Sequence, residues 1–446
     1  MHVTSELLTL EEEGLVRRVE DNDLTYFFKH ILTQETAYAS LLLKERREWH
    51  RLIASTCETL FADNLNDYLP LLAHHFTEAG EYDKAVSYWY QYGERALQIS
   101  AFPEALKAFQ NALALLPNEP TSERAQVYAQ LGELYCRHTD YDVAKENFRN
   151  ALSTGIAARD AKTTATALTG IARIESQRGD HQQARELGEE ALRWAKDAND
   201  IEAIAHAHRQ LGVAYNYEGK NELAQEHLRA GLALYQQLND REGISSCLNS
   251  LGVVARDEKK YELAHSYIEK ALAISQELGD RYGVSVRLVN LGVIAEQRGD
   301  YQTAARCQDE ALSISQEIGD REGAALIRLN LGSLALTRGD SDLAMQEYRQ
   351  ALSEARGLGL QALSLYIIAA IAKVQLALGN AEYAAELLGL AFHHPAGTAD
   401  IKIDFDSVLQ ELNTKLSPEE LNVAIERGEI MDLEHAARKL LEHIQA

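Results

Sequence analysis

Between Arg281 and Asp320 the chain reads RYGVSVRLVNLGVIAEQRGDYQTAARCQDEALSISQEIGD. Val284, Leu288, Leu291, Gly292 and Ala295 recur at three- and four-residue steps, the spacing of one face of a helix. Arg298-Gly299-Asp300 breaks that helix. Gly299 supplies the left-handed position past a helix end, and Asp300 accepts hydrogen bonds from the free N–H groups that open the next helix. Tyr301 to about Glu317 then forms a second helix with Ala304, Ala311 and Leu312 on its inner stripe, and Ile318-Gly319-Asp320 repeats the break. The stretch therefore predicts two antiparallel helices with a stop at either end.

The same unit recurs along the chain. Ala144, Ala184, Ala224, Ala264, Ala304, Ala344 and Ala384 stand forty residues apart, and Ala151, Ala191, Gly231, Ala271, Ala311, Ala351 and Ala391 follow each by seven. Small residues at i and i+7 notch one stripe of a helix, so that a neighbouring helix approaches closely enough to pack. A third small column, Gly132, Ala172, Gly212, Gly252, Gly292, Gly332 and Ala372, runs through the first helices. Helix pairs stacked at a fixed period form a solenoid, in which each repeat buries its apolar face against its neighbours.

These three columns resemble the tetratricopeptide repeat. The usual period of that family is about 34 residues, so forty implies longer helices or linkers, as in the longer-repeat branch found in bacterial signalling proteins. An earlier unit at Gly93, Ala105, Phe109, Ala112 and Pro117 keeps the shorter pattern more closely. The resemblance implies an all-α fold, a right-handed superhelical solenoid over residues 66–394.

The ends read differently. In residues 1–65, Ser5 to Glu13 reads as helix, followed by two short strands, Leu15-Val16-Arg17-Arg18-Val19 and Leu24-Thr25-Tyr26-Phe27-Phe28, around the turn Glu20-Asp21-Asn22-Asp23. Helix resumes near Leu32, giving the outline of a winged-helix remnant with one β-hairpin. Phe28-Lys29-His30-x-Leu32, Ala37-Tyr38, Leu41-Leu42, Arg46-Arg47 and His50, then Leu72-Ala73-His74-His75-Phe76, Ala79-Gly80, Lys84-Ala85 and Tyr88-Trp89, resemble one particular junction. It is the segment where the nucleotide-binding part of a bacterial signal-transduction ATPase ends and its helical-repeat sensor begins. Such ATPases are often fused to kinases, nucleotide cyclases or DNA-binding domains. Residues 395–446 read as an irregular linker, Pro395 to Asp406, and a helical cap opened by Leu416-Ser417-Pro418.

Composition sets limits. The chain has 446 residues with 44 Lys plus Arg against 68 Asp plus Glu, a net charge of −24, which argues against broad binding to a phosphate backbone. Cys57, Cys136, Cys247 and Cys307 have no paired spacing, as expected of a reduced chain. No apolar run reaches membrane-spanning length and the amino terminus lacks a signal peptide's pattern, so a cytoplasmic location is expected. The only Gly-Lys, Gly219-Lys220, precedes Asn221 and not the Ser or Thr of a phosphate-binding loop. No ATP site is assigned, and the resemblance implies a sensor half without its nucleotide module.

Several tempting groups are better read as structure. Adjacent histidines on a helix point about 100° apart, so His74-His75 and His393-His394 suggest no metal. Arg178-Gly179-Asp180, Arg298-Gly299-Asp300 and Arg338-Gly339-Asp340 fall at helix breaks, which account for their Gly and Asp. Cys247 beside His206 or His208 lacks any nucleophile motif and reads as a packing cysteine. Arg46, Arg47 and Arg51 lie near one helix but do not outweigh the acidic balance as a DNA-binding signal. No catalytic residue, cofactor or metal is expected.

The positive expectation concerns the groove. In the family, the first helix of each pair lines the inner surface, which implies ligand-facing roles for Arg209, Gln210, Asn216, Tyr217, Asn249, Arg256, Asn290, Gln297 and Asn330. Amide side chains suit an extended peptide because each offers a donor and an acceptor, and Arg holds a carboxylate through two parallel bonds. The expected function is a non-catalytic interaction or sensor module that binds a protein or peptide and regulates an effector, an ATPase, kinase or cyclase, in cis or in trans. The alternative is a sensor of a small-molecule inducer.

Overall fold

The computed structural model describes residues 2–18, 26–99, 101–397 and 399–442. The chain divides into two compact units, Met1–His138 and Thr139–Ala446. The first contains α1 (His2–Glu12), β1 (Val16–Arg18), β2 (Tyr26–Phe28), α2 (Ile31–Ser40), α3 (Leu43–Leu60), α4 (Leu69–Ala79), α5 (Tyr82–Gln98), α6 (Phe102–Leu115) and α7 (Ser122–Arg137). The expected hairpin is present, with Val16 opposite Phe28 and Arg17 opposite Phe27 in an antiparallel pair. The turn Glu20–Asp23 and the residues Leu24 and Thr25 lie outside the described residues. From α3 to α6 each helix packs on the next, around Ala54, Leu72, Phe76, Ala85 and Phe109. The boundary expected near residue 65 falls inside this unit.

The second unit is a run of helices. It comprises α8 (Tyr141–Ala158), α9 (Ala161–Gln177), α10 (His181–Asp197), α11 (Ile201–Tyr217), α12 (Asn221–Leu238), α13 (Arg241–Asp257) and α14 (Tyr261–Leu278). These are followed by α15 (Arg281–Gln297), α16 (Tyr301–Ile318), α17 (Arg321–Thr337), α18 (Ser341–Gly357), α19 (Gln361–Ala377) and α20 (Ala381–His393). Consecutive helices pack pairwise through the whole series. A residue with positive φ stands before each new helix, among them Arg159, Gly179, Asn199, Gly219, Asn239, Gly299 and Gly319. An aspartate usually follows it and caps the next helix: Asp300 accepts from Thr303 N at 3.1 Å and Asp320 from Gly323 N at 2.9 Å.

Both alanine ladders lie in the core, with Ala144, Ala224, Ala264, Ala271, Ala311, Ala344 and Ala384 all 0 % exposed. The small column in the first helices receives the large side chain sixteen residues on. A Cβ at Gly212 would lie 2.4 Å from Leu228 Cγ, one at Gly252 2.4 Å from Ile268 Cγ1, and one at Gly332 2.4 Å from Tyr348 Cε1. Each helix pair is thus locked by a knob seated where no side chain stands.

The carboxyl-terminal helices are α21 (Ala399–Asp404), α22 (Asp406–Lys415), α23 (Pro418–Glu429) and α24 (Leu433–Glu442). The expected irregular linker therefore needs correction, since most of Pro395–Asp406 beyond the turn is the helix α21. Ile401 in that short helix and Phe405, which follows it at the start of α22, are both buried. Ser417 opens α23 as expected, accepting from Glu420 N at 3.3 Å while the Glu420 carboxylate accepts from Ser417 N at 2.8 Å.

Candidate functional site

The concave side of the second unit follows from which helices approach each other. First helices touch their counterparts one repeat away, α9 with α11, α11 with α13, α13 with α15, α15 with α17 and α17 with α19. A stack that is closer along one row of helices bends toward that row. The bend brings Tyr141, at the start of α8, within reach of α17, where its hydroxyl donates to Glu322 Oε2 at 3.2 Å across 181 residues of sequence.

Tyr282 on α15 reports the enclosure. Its side chain is 60 % exposed, yet the surrounding protein raises its hydroxyl pKa, helped by the carboxylates of Asp320 and Glu322. Desolvation raises the carboxyls of Asp320 and Glu322 for the same reason.

Arg287, on the same helix, is 7 % exposed. One guanidinium nitrogen donates to Gly283 O at 3.2 Å, and Nε is buried without a partner among the described residues. Burial pulls its pKa below the ordinary value, with Asp280 and Tyr282 acting against that and Arg209 with it. A desolvated guanidinium with an open N–H is chemically disposed to take a carboxylate or a carbonyl. The groove reading missed Arg287, although the sequence held a signal: the residues one period away, Cys247 and Ile327, are apolar.

The expected groove residues fall into several groups. Asn290 Nδ2 donates to Asn249 Oδ1 at 2.9 Å, so two amides from successive repeats form a ladder, each half-buried. Asn330 is half-buried on α17 at the position of Asn290. Asn216 and Arg256 both bind Asp257: Asn216 Nδ2 donates to its Oδ2 at 2.9 Å and Arg256 Nε to its Oδ1 at 2.9 Å. Asn216 Oδ1 is buried with no partner among the described residues. Tyr217 stacks on His181 with ring centroids 4.5 Å apart, and Gln297 is exposed at the end of α15. Arg209 is half-buried and acts on the Tyr235 hydroxyl and the Cys247 thiol, both raised by burial. Gln210 is a correction, for it is 2 % exposed and donates to Ser176 Oγ at 3.3 Å. It sits in the seam where α9 and α11 touch, so helix-to-helix closeness removes it from the groove.

The groups read as structural have structural partners. Cys247 is fully buried and its thiol is pushed up to about 12, far from a nucleophilic thiolate. Arg46 donates to Leu41 O at 3.0 Å and Ala39 O at 2.8 Å, and Arg51 pairs with Glu81. His393 meets Gly389 O at 3.0 Å and Glu429 at 3.2 Å. Among the described residues no helix is long and apolar enough to cross a membrane.

Known proteins agree with this architecture. Residues 123–197, 203–277 and 286–357 match the family model of the tetratricopeptide repeat. With the paired packing above, these segments make the fold a tetratricopeptide-repeat solenoid. The chain is similar to a signal transduction ATPase with numerous domains (STAND) from Pyrococcus horikoshii that has a tetratricopeptide repeat sensor, at 14 % identity and a TM-score of 0.57. That similarity covers 92 % of this chain, and the chain spans 60 % of that protein. It is also similar to a Rap protein complexed with Competence and Sporulation Factor, at 14 % identity and a TM-score of 0.54, covering 83 % of this chain and 100 % of that one. No curated protein is significantly similar to it in sequence.

Proposed function

We propose that the concave wall of the second unit binds an extended peptide or protein segment and passes that occupancy to a signalling effector. Arg287 carries the reading, because a buried guanidinium with an unused N–H is costly unless a ligand completes it. The Asn249–Asn290 ladder and Asn330 add backbone-reading amides one repeat apart. The Rap protein, similar in fold, is a precedent in its complex with Competence and Sporulation Factor.

The effector side of the proposal rests on sequence. The string from Phe28 to Trp89 resembles the junction of signal-transduction ATPases, and the similarity in fold to the STAND protein supports that lineage. The chain then acts as the sensor for an ATPase, kinase or cyclase domain in the cytoplasm. A phage-displayed random peptide library selected on the purified chain tests the groove. Selected peptides that carry a carboxylate should bind Arg287→Met about 10- to 100-fold more weakly than wild type, the loss of a charged hydrogen bond. Selected peptides indifferent to Arg287→Met and to the Asn290→Ala, Asn330→Ala double variant would place binding elsewhere.

A further inference from the structure

The first unit brings together three histidines that lie 24 and 25 residues apart in sequence. His50 comes from α3, His74 and His75 from α4, and these two helices pack against each other. One ring nitrogen from each lies within 4.8 Å of the others. His50 Nδ1 is 2.7 Å from His75 Nδ1, and the ring of His50 is centred 4.9 Å from that of His75 and 5.8 Å from that of His74. We propose that His50, His74 and His75 form a binding site for a divalent late first-row transition ion, of which zinc is the representative.

The geometry needs small adjustments only. Tetrahedral ligation at zinc–nitrogen distances of about 2.0–2.1 Å sets ligand nitrogens about 3.4 Å apart. The His50–His75 pair opens by a fraction of an ångström, and His74 closes by imidazole rotation. Adjacent histidines splay too far to chelate alone. His50, arriving from the facing helix, supplies the third nitrogen that the pair lacks.

The ring of His50 is held for this role. Its Nε2 lies 2.9 Å from the Tyr38 hydroxyl. With Nε2–H donated to that oxygen, the Nδ1 lone pair points toward His75, the arrangement that fixes a metal-ligating tautomer. Before the ion enters, His75 Nδ1–H donates to that lone pair. On entry the Nδ1 proton leaves to solvent while His75 Nε2 takes one up, and both rings stay neutral. An all-nitrogen set selects a transition ion over magnesium or calcium, which take oxygen ligands. His50 is buried and His74 exposed, so the site has one wet side where a water completes the coordination.

The test uses tag-free full-length chain stripped with a chelator and titrated with Zn²⁺ against a chromophoric competitor at pH 7.5. Wild type should take up one tight equivalent. His74→Gln, at an exposed position that does not support the fold, and Tyr38→Phe should each weaken it about 10-fold or more, while His435→Gln, on exposed surface of the other unit, should not. Co²⁺ loading should give the visible bands of a low-coordinate nitrogen site in wild type and not in His74→Gln. Wild type without a stoichiometric equivalent, or uptake unchanged in both His74→Gln and Tyr38→Phe, overturns the proposal and leaves His50–His75 a hydrogen-bonded pair.

Discussion

Gly389→Ala should release the carboxyl-terminal cap while leaving the repeats intact. Gly389 on α20 faces α23 at backbone distance: a Cβ there would lie 2.4 Å from Ile425 O, 3.0 Å from Ile425 Cα and 3.1 Å from Gly428 Cα. All three are main-chain atoms, so no side-chain rotation relieves the clash. Ordinary contact begins near 3.4 Å, so α23 must withdraw by about 1 Å. A gap of that size forfeits about a quarter to a half of the dispersion energy across the interface, felt first by Leu421 and Ala424. Overpacking relieved only by backbone movement lies at the upper end of its range, about 3 kcal/mol. Alanine's better helix propensity returns about 1 kcal/mol. The net loss of about 2 kcal/mol falls on cap docking, and amide exchange within α23 should accelerate about 30-fold, at about 1.4 kcal/mol per decade. Hydrogen-exchange mass spectrometry reads this directly, with peptides from α11 to α14 as the internal reference. Gly188→Ala is the matched contrast, since its Cβ would meet the Leu211 side chain at 3.0 and 3.1 Å and the nearest backbone atom only at 4.0 Å, and its stability should stay within about 1 kcal/mol of wild type. Exchange in α23 of Gly389→Ala within a few-fold of wild type would refute the glycine crossing as the element that holds the cap.

Ala264→Glu or Ala304→Glu should cost on the order of 3 kcal/mol or more, since each forces a carboxylate into a fully packed notch, and circular dichroism melts would show it. Asn290→Ala with Asn330→Ala should cost about 1 kcal/mol of stability, chiefly the lost Asn290–Asn249 hydrogen bond, and weaken a groove-bound peptide by a further roughly 1–3 kcal/mol in an anisotropy titration. The His75 and His208 imidazoles are both lowered to about 4, chiefly by burial. Between the ordinary value of 6.5 and about 4 the unfolded chain takes up protons that the fold refuses, so stability present above 6.5 is lost as pH falls through that window. Melts at pH 7 and pH 4.5 should show the fall, and His208→Gln should make it smaller; an equal fall in that variant would remove His208 as a contributor. Calorimetry with ATP and magnesium should show no stoichiometric binding, and a micromolar isotherm would point to a phosphate site built from helix N-termini alone.

Local chemistry was written in the sequence. Gly299-Asp300 and Gly319-Asp320 announce their helix ends because a left-handed residue and a capping carboxylate act within four residues of themselves. The alanine ladders announce the packing faces because helical periodicity places i and i+7 together whatever the helix packs against. The short helix α21 escaped notice because Ile401, and Phe405 just after it, gain burial only in the tertiary core they share with the last repeats and the cap. The glycine crossing of α20 and α23 was equally hidden, since neither Gly389 nor Gly428 shows in sequence which helix it will meet.

The repeat, its register and its helix boundaries therefore follow from the sequence alone, because each rests on interactions between near neighbours in the chain. Tertiary structure decided the rest. Gln210 and Asn290 occupy equivalent positions forty residues apart per repeat, yet one is sealed in a seam and the other half-open, because the closeness of successive first helices differs along the stack. Tyr282 becomes a neighbour of Glu322, and His50 of His75, only once curvature and helix pairing are set. Those arise from small rotations summed over many repeats and from contacts between distant segments, quantities that no single stretch of residues contains.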